Sequence, residues 1–199
     1  MINRLLILLI AIAFVGCGVD ENKKDYTIMK YDFIITNNIN GNLKYFSSYY
    51  DYQNHIKTIY YDLDSNFSQT SITSFIEEEV FQHGDTLICD GYNFTPSIKI
   101  NECITIRYSS ETERSYEDIN LCLDEIKTSF MIYSLVIDTC YVFSVSNSIP
   151  IVDSYNSKIY FDFLRKMVVK KESIDGSGEI VASVELVKET LVGISPNKK

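Results

Sequence analysis

The chain has 199 residues but no tryptophan, only two histidines (His55 and His83), three prolines and eight glycines, and its 18 basic side chains are outnumbered by 27 acidic ones. Each scarcity removes a class of function. A formal net charge of -9 excludes a protein that grips nucleic acid by neutralising phosphates, and it disfavours anionic membrane surfaces. Two isolated histidines and no C-x-x-C pair supply no zinc set. No G-x-S-x-G elbow offers a serine nucleophile. Long hydrophobic runs are also missing, with one short exception: Leu5 to Val15 is unbroken and apolar. As a helix it would extend about 16 Å, against a hydrocarbon thickness of about 30 Å, so it reads as the core of a signal peptide over residues 1–16.

That run ends in Phe14-Val15-Gly16-Cys17, which resembles the lipobox of bacterial lipoproteins, with Phe where Leu is usual. The resemblance implies that Cys17 takes a diacylglycerol and becomes the first residue of the mature protein. Several acyl chains on one cysteine anchor stably, whereas one is marginal, because each buried methylene contributes about 0.8 kcal/mol. Residues 17–25 are the anchor and a polar tether, since Gly18 to Asp25 holds almost nothing that packs. Gly18 stands where an aspartate would resemble an inner-membrane retention signal. The expected location is therefore the outer membrane, facing the periplasm or the outside.

With 46% hydrophobic residues, among them 15 tyrosines and 11 phenylalanines, the rest of the chain has enough to build one core, and residues 26–194 read as a single domain with a short tail at 195–199. The dominant period is two: Met29, Tyr31, Phe33 and Ile35 alternate with Lys30 and Asp32. Asn40-Gly41 supplies a hairpin turn. Strands are expected at 27–36, 43–50, 55–62, 86–90, 102–108, 130–137, 140–146, 158–163, 166–174 and 179–190, the last two joined by Asp175 to Gly178. Residues 130–137, apolar on both faces, read as a central strand. Two segments carry helical spacing: 115–128, through Tyr116, Ile119, Leu123 and Ile126, and a shorter one through Ile72, Phe75, Ile76 and Val80. The fold expected is mainly β, an antiparallel meander or open half-barrel of eight to ten strands with one or two packed helices.

Four cysteines follow Cys17: Cys89, Cys103, Cys122 and Cys140. An exported protein can pair them, three connectivities are open, and bonds between sequence neighbours (Cys89 with Cys103, Cys122 with Cys140) are favoured because a meander brings consecutive elements together. Asp62-x-Asp64-x-Asn66-x-Ser68 begins like a calcium loop but lacks the glycine at Phe67 and the glutamate at Thr73 that an EF-hand needs, so it reads as a polar turn. Glu77-Glu78-Glu79 reads as a solvated helix face. His83 beside Gly84 reads as a turn residue. No cofactor, metal or catalytic set is expected.

Aromatics are densest between Tyr45 and Tyr61. Tyr49, Tyr50, Tyr52 and Tyr61 are the candidate contact residues for an envelope protein partner, although tyrosine is also a favoured strand residue. Near the C-terminus Tyr160-Phe161-Asp162, Val168 to Glu172, Asp175 to Gly178 and Val192 to Pro196 occur in an order that resembles the closing strands of lipoprotein carriers of the LolA and LolB type. That resemblance implies a curved sheet around an apolar cavity, with Val184 and Leu186 on its inward face. The sequence thus points to a non-enzymatic, lipid-anchored envelope module that binds a protein, with a carrier of a lipid-like ligand as the alternative.

Overall fold

A computed structural model describes residues 26–52, 54–89, 92–109, 116–147 and 156–195. The signal peptide, Cys17, the tether and residues 196–199 lie outside them. Thirteen strands form two sheets among the described residues: β1 (Tyr26–Asn37), β2 (Leu43–Asp51), β3 (Ile56–Leu63), β4 (Ser74–Glu79), β5 (Phe81–His83), β6 (Thr86–Cys89), β7 (Tyr92–Phe94), β8 (Cys103–Ser109), β9 (Tyr116–Ile132), β10 (Leu135–Asn147), β11 (Asn156–Asp162), β12 (Met167–Ile174) and β13 (Ile180–Ser195).

The main sheet runs β4-β3-β2-β1-β13-β12-β11-β10-β9-β8, and every pair is antiparallel. It is two meanders sewn together where β1 lies beside β13, in a register from Tyr26↔Ser195 to Asn37↔Ala182. The chain leaves one edge at β4, builds the small sheet β5-β6-β7, and enters the other edge at β8. The small sheet packs on one face of β9–β11, with Leu87, Cys89, Phe94 and Ile98 meeting Leu121, Leu123, Phe143, Ile159 and Phe161. The β1–β2 hairpin turns at Asn40-Gly41 with Gly41 alone of the pair in the left-handed region, at φ 71°, and the Gly41 N–H donates to Asn37 O at 2.8 Å. The second hairpin closes on Asp175, whose Oδ1 accepts from the N–H groups of Ser177 and Glu179 at 2.9 and 3.0 Å.

Among the described residues there is no helix, and both helical expectations are corrected. Residues 116–132 are β9. Ile119, Leu121 and Leu123 alternate on one face, and then a bulge opposite Val142/Phe143 inserts Asp124 and shifts the phase, so that two period-two runs out of step imitate steps of three and four. The Ile72–Val80 stretch contains the edge strand β4, which pairs Ile76 with Ile59 and Phe75 with Tyr60 and leaves Phe75 66% exposed, where a helix would have buried it. Residues 130–137 are not one central strand: a two-residue turn at Tyr133-Ser134 folds them into the β9–β10 hairpin, with Ile132 opposite Leu135. Tyr133 takes φ 49° there without the glycine or asparagine that would have announced it.

The tip of that hairpin covers the second face of the main sheet. In a flat sheet β9 and β13, with three strands between them, would lie about 19 Å apart; instead they approach each other. Phe130 stacks on Tyr160 at 5.2 Å, and Lys127 Nζ lies 5.7 Å from the Tyr160 ring centre. This face carries the ion pairs Lys170–Glu185 (2.8 Å) and Lys170–Glu172 (2.9 Å). Burial alone would lower the Lys170 pKa, but hydrogen bonds to Glu185 and Glu172 hold it above the usual lysine range.

The disulfide differs from the favoured pairing. Cys103 is bonded to Cys122, its directly opposite residue on β8 and β9, with Cα atoms 4.0 Å apart. Closing a loop of 19 residues contributes about 3 kcal/mol. Cys89 and Cys140 are buried and not disulfide-bonded, in two different clusters, one under the small sheet and one around Tyr31 and Tyr160. Cys89 and Cys103 do not meet because the small sheet removes Cys89 from the main meander, and the bond forms instead between the next consecutive pair, on adjacent strands. Burial pushes the Cys140 thiol up to about 12.

Candidate functional site: an apolar cavity with two lysines

Directly opposite residues on antiparallel strands share a face. One row crosses six strands of the main sheet: Leu123, Phe143, Ile159, Lys171, Val184 and Ile35. Five members are apolar and one is a lysine. A second row on the same face joins Leu186, Phe33 and Phe46, and a third joins Tyr31, Ser48 and Ile59. Where the small sheet lies over this face, the rings meet. Beyond Tyr92 of β7 they do not, and a cavity of about 240 Å³ opens over β1–β3 and β11–β13.

The walls are mostly apolar: Phe33, Phe46, Ile59, Met167 and Val184 among them. Three polar groups interrupt them. Lys171 Nζ lies 5.9 Å from the ring centre of Tyr92, which also lines the space, and among the described residues Lys171 makes no ion pair. Lys57 is 7% exposed, with its Nζ 3.9 Å from Glu78 Oε2 on the edge strand. Ser48 is fully buried, and its Oγ has no hydrogen-bond partner among the described residues. Leaving a buried hydroxyl unpaired costs about 1–3 kcal/mol, so Ser48 is an expense that packing alone does not explain.

Beside the cavity a polar strut ties the two meanders. Arg165, in the β11–β12 turn, reaches Glu189 of β13 through two hydrogen bonds of 2.8 and 3.0 Å and Asp162 through one of 2.6 Å. Glu189 first, and Asp162 after it, hold the guanidinium pKa above its usual range. Tyr52 donates to the Arg165 carbonyl at 3.1 Å and shares a 2.5 Å hydrogen bond with Tyr31, whose own ionisation burial pushes up. Every group in this strut is satisfied by another, which makes it a brace.

The four tyrosines expected at a contact surface are drawn inward. Tyr50 is 1% exposed, packs against Tyr52 at 4.3 Å, and has a buried hydroxyl without a partner among the described residues. Burial raises its pKa to about 12. Tyr52 belongs to the brace, Tyr61 lines the cavity 5.8 Å from the Phe46 ring, and half-buried Tyr49 meets Tyr60 edge-on at 5.4 Å. Sequence reading did not single out Ser48, Lys57 or Lys171. A signal existed for Lys57, which alternates with Ile59 and Tyr61 on what must be one face of β3.

His55 is exposed in the turn before β3, with φ 55°, and His83 is exposed at the β5–β6 turn. Asp64 Oδ1 accepts from Asn66 and Ser68 N–H at 2.8 and 2.9 Å, so the calcium-like stretch closes on itself as a turn. Among the described residues no three His, Cys, Asp or Glu side chains are grouped to hold a metal ion.

No family model matches the chain, and no curated protein sequence matches it. Among solved structures it is similar to MucB in complex with MucA(peri), with a TM-score of 0.44 and 12% identity over 86% of this chain and 52% of that one. A complex of Pseudomonas aeruginosa MucA/MucB gives 0.44 and 10% over 86% and 54%, and MucB alone 0.41 and 9% over 94% and 60%. The chain thus spans between half and two thirds of the length of these structures.

Proposed function

We propose that this chain is a lipoprotein of the cell envelope that acts by binding, without turnover, and that what it holds is the apolar body of a small amphiphile. The observation that carries this reading is the cavity of about 240 Å³, since an apolar cavity of about 150 Å³ already takes a benzene-sized guest. The protein-partner reading built on Tyr49, Tyr50, Tyr52 and Tyr61 loses ground because three of the four serve the core, the brace or the cavity wall. The lipid-like alternative gains it. Adding decan-1-ol should raise the melting temperature of the domain, and Val184→Trp, which fills the space, should remove that rise. No shift with decan-1-ol, together with no amphiphile in native mass spectra of the purified protein, would end the reading.

Anchoring at Cys17 rests on the lipobox resemblance. Wild-type protein is expected in the membrane fraction of its host, and Cys17→Ser in the soluble one. Retention of Cys17→Ser on membranes after a carbonate wash would overturn the assignment.

A further inference from the structure

The cavity reading leaves Lys171 and one buried hydroxyl unexplained, in a protein whose net charge is -9. Elsewhere the interior spends its charges in pairs: Lys170 on Glu172 and Glu185, Arg165 on Asp162 and Glu189, and Lys30 on Asp32. Lys171 is different. Its neighbour Lys170 points to the opposite face and meets two carboxylates, while Lys171 stands between Ile159 and Val184 in an otherwise apolar row. Half-buried Lys171 holds its ammonium against an aromatic ring and beside the cavity with no ion pair among the described residues, where an anion arriving with the ligand would find it.

We infer, resting on the cavity reading, that the ligand is a single-chain amphiphile with one anionic head, its chain among Phe33, Phe46, Ile59 and Val184 and its head at Lys171, with Ser48 donating its hydroxyl and Lys57 adding a second positive charge. Volume sets the single chain. Charge complementarity sets the head: two lysines line the cavity, Lys171 makes no ion pair among the described residues, and Lys57 lies 3.9 Å from Glu78 on the edge strand. The acidic surface does not oppose this, because salt screens charges beyond about 8–10 Å, and the lysines act at contact. It gives the site its selectivity instead, since a head without an apolar chain gains only the lysines and meets the repulsion of the whole protein.

The test compares sodium decanoate with decan-1-ol, which share a chain and differ in the head. Calorimetry at neutral pH on the domain from residue 26 should find decanoate binding at least about tenfold more tightly, the equivalent of one charge-assisted hydrogen bond. Lys171→Met should erase the difference while leaving decan-1-ol binding as it was, and Ser48→Ala should reduce it in part. Decyl phosphate in the same assay separates a phosphate-headed source from a carboxylate-headed one, and preference for either over decan-1-ol supports the inference. Binding of decanoate and decyl phosphate no tighter than that of decan-1-ol overturns it while sparing the cavity reading. So does a decanoate preference that survives in Lys171→Met. Failure of all three ligands to bind removes the inference and the cavity reading together.

Discussion

Beneath the small sheet the inner face of the main sheet is closed ring to ring, with Phe94 stacked on Phe161 at 3.9 Å and edge-on to Phe143 at 5.4 Å, all three inaccessible to solvent. Three strands along the same face, Phe33 and Phe46 also stack, at 4.7 Å, yet they border about 240 Å³ of unfilled volume. The polar content differs in the same direction. The filled end is walled by Leu121, Leu123, Phe143, Val145, Ile159 and Phe161. The hollow end buries Ser48, Lys57 and the Tyr50 hydroxyl. Close packing at one end shows that this sequence can fill a core to the density ordinary interiors reach. The hollow at the other end is therefore a property of particular residues and not of a domain too small to close.

The comparison is broken most directly by truncating a ring at each end. Phe161→Ala removes a fully buried side chain from a filled region, and its cost is about 3–5 kcal/mol, a fall in melting temperature on the order of 10 °C for a domain of this size. Phe46→Ala enlarges a space that already exists and removes a half-buried ring, so its cost should be less than half as large. Thermal melting of the two variants in parallel checks the contrast. Equal losses would mean that Phe46 is as tightly enclosed as Phe161 and that the hollow is not one.

Strand alternation was legible at both ends, for a physical reason. A period-two run such as Tyr141-Phe143-Val145 or Met29-Tyr31-Phe33 declares its buried face without help, whereas Ile119-Leu121-Leu123, equally regular, reads as part of a helix because the phase shifts just after it. Hairpins carrying Asn40-Gly41 or Asp175 to Gly178 set their own position, and the bounds of β1, β2, β3, β6, β8, β11 and β12 fall within two residues of expectation, whereas β5 and β7 were not expected and β10 and β13 run well beyond the strands expected there. What could not be read depends on contacts distant in sequence. The bulge that inserts Asp124 shifts phase inside β9 and makes a strand look helical. The turn at Tyr133 lacks turn residues because packing of the hairpin tip against Tyr160 and its neighbours, and not local chemistry, holds it. Cys103 faces Cys122 only because β8 pairs with β9. The cavity was least legible of all. Its lysines sit in cross-strand rows that exist only once β12 has found β13 and β2 has found β3, and a tyrosine-rich stretch looks the same in sequence whether its rings face a partner or a core.

Two adjacent serines sharpen the comparison at the smallest scale. Ser47 and Ser48 are both fully buried on β2, but alternation sends them to opposite faces. Ser47 Oγ donates to Asp32 Oδ1 at 2.5 Å, and that buried carboxylate also receives Lys30 Nζ at 2.9 Å. Ser48 Oγ faces the cavity and donates to nothing among the described residues. A hydrogen bond to a buried charge is worth about 1.5–3 kcal/mol, so Ser47→Ala should destabilise by about 2 kcal/mol. Ser48→Ala removes an unpaired hydroxyl from the interior, and with no ligand present it should be neutral or stabilising by up to about 1 kcal/mol. Denaturant titration of both variants measures the difference directly. The opposite order, with Ser48→Ala the more damaging, would show that its hydroxyl already has a partner in the unliganded protein, and the hollow end would then be as fully satisfied as the filled one.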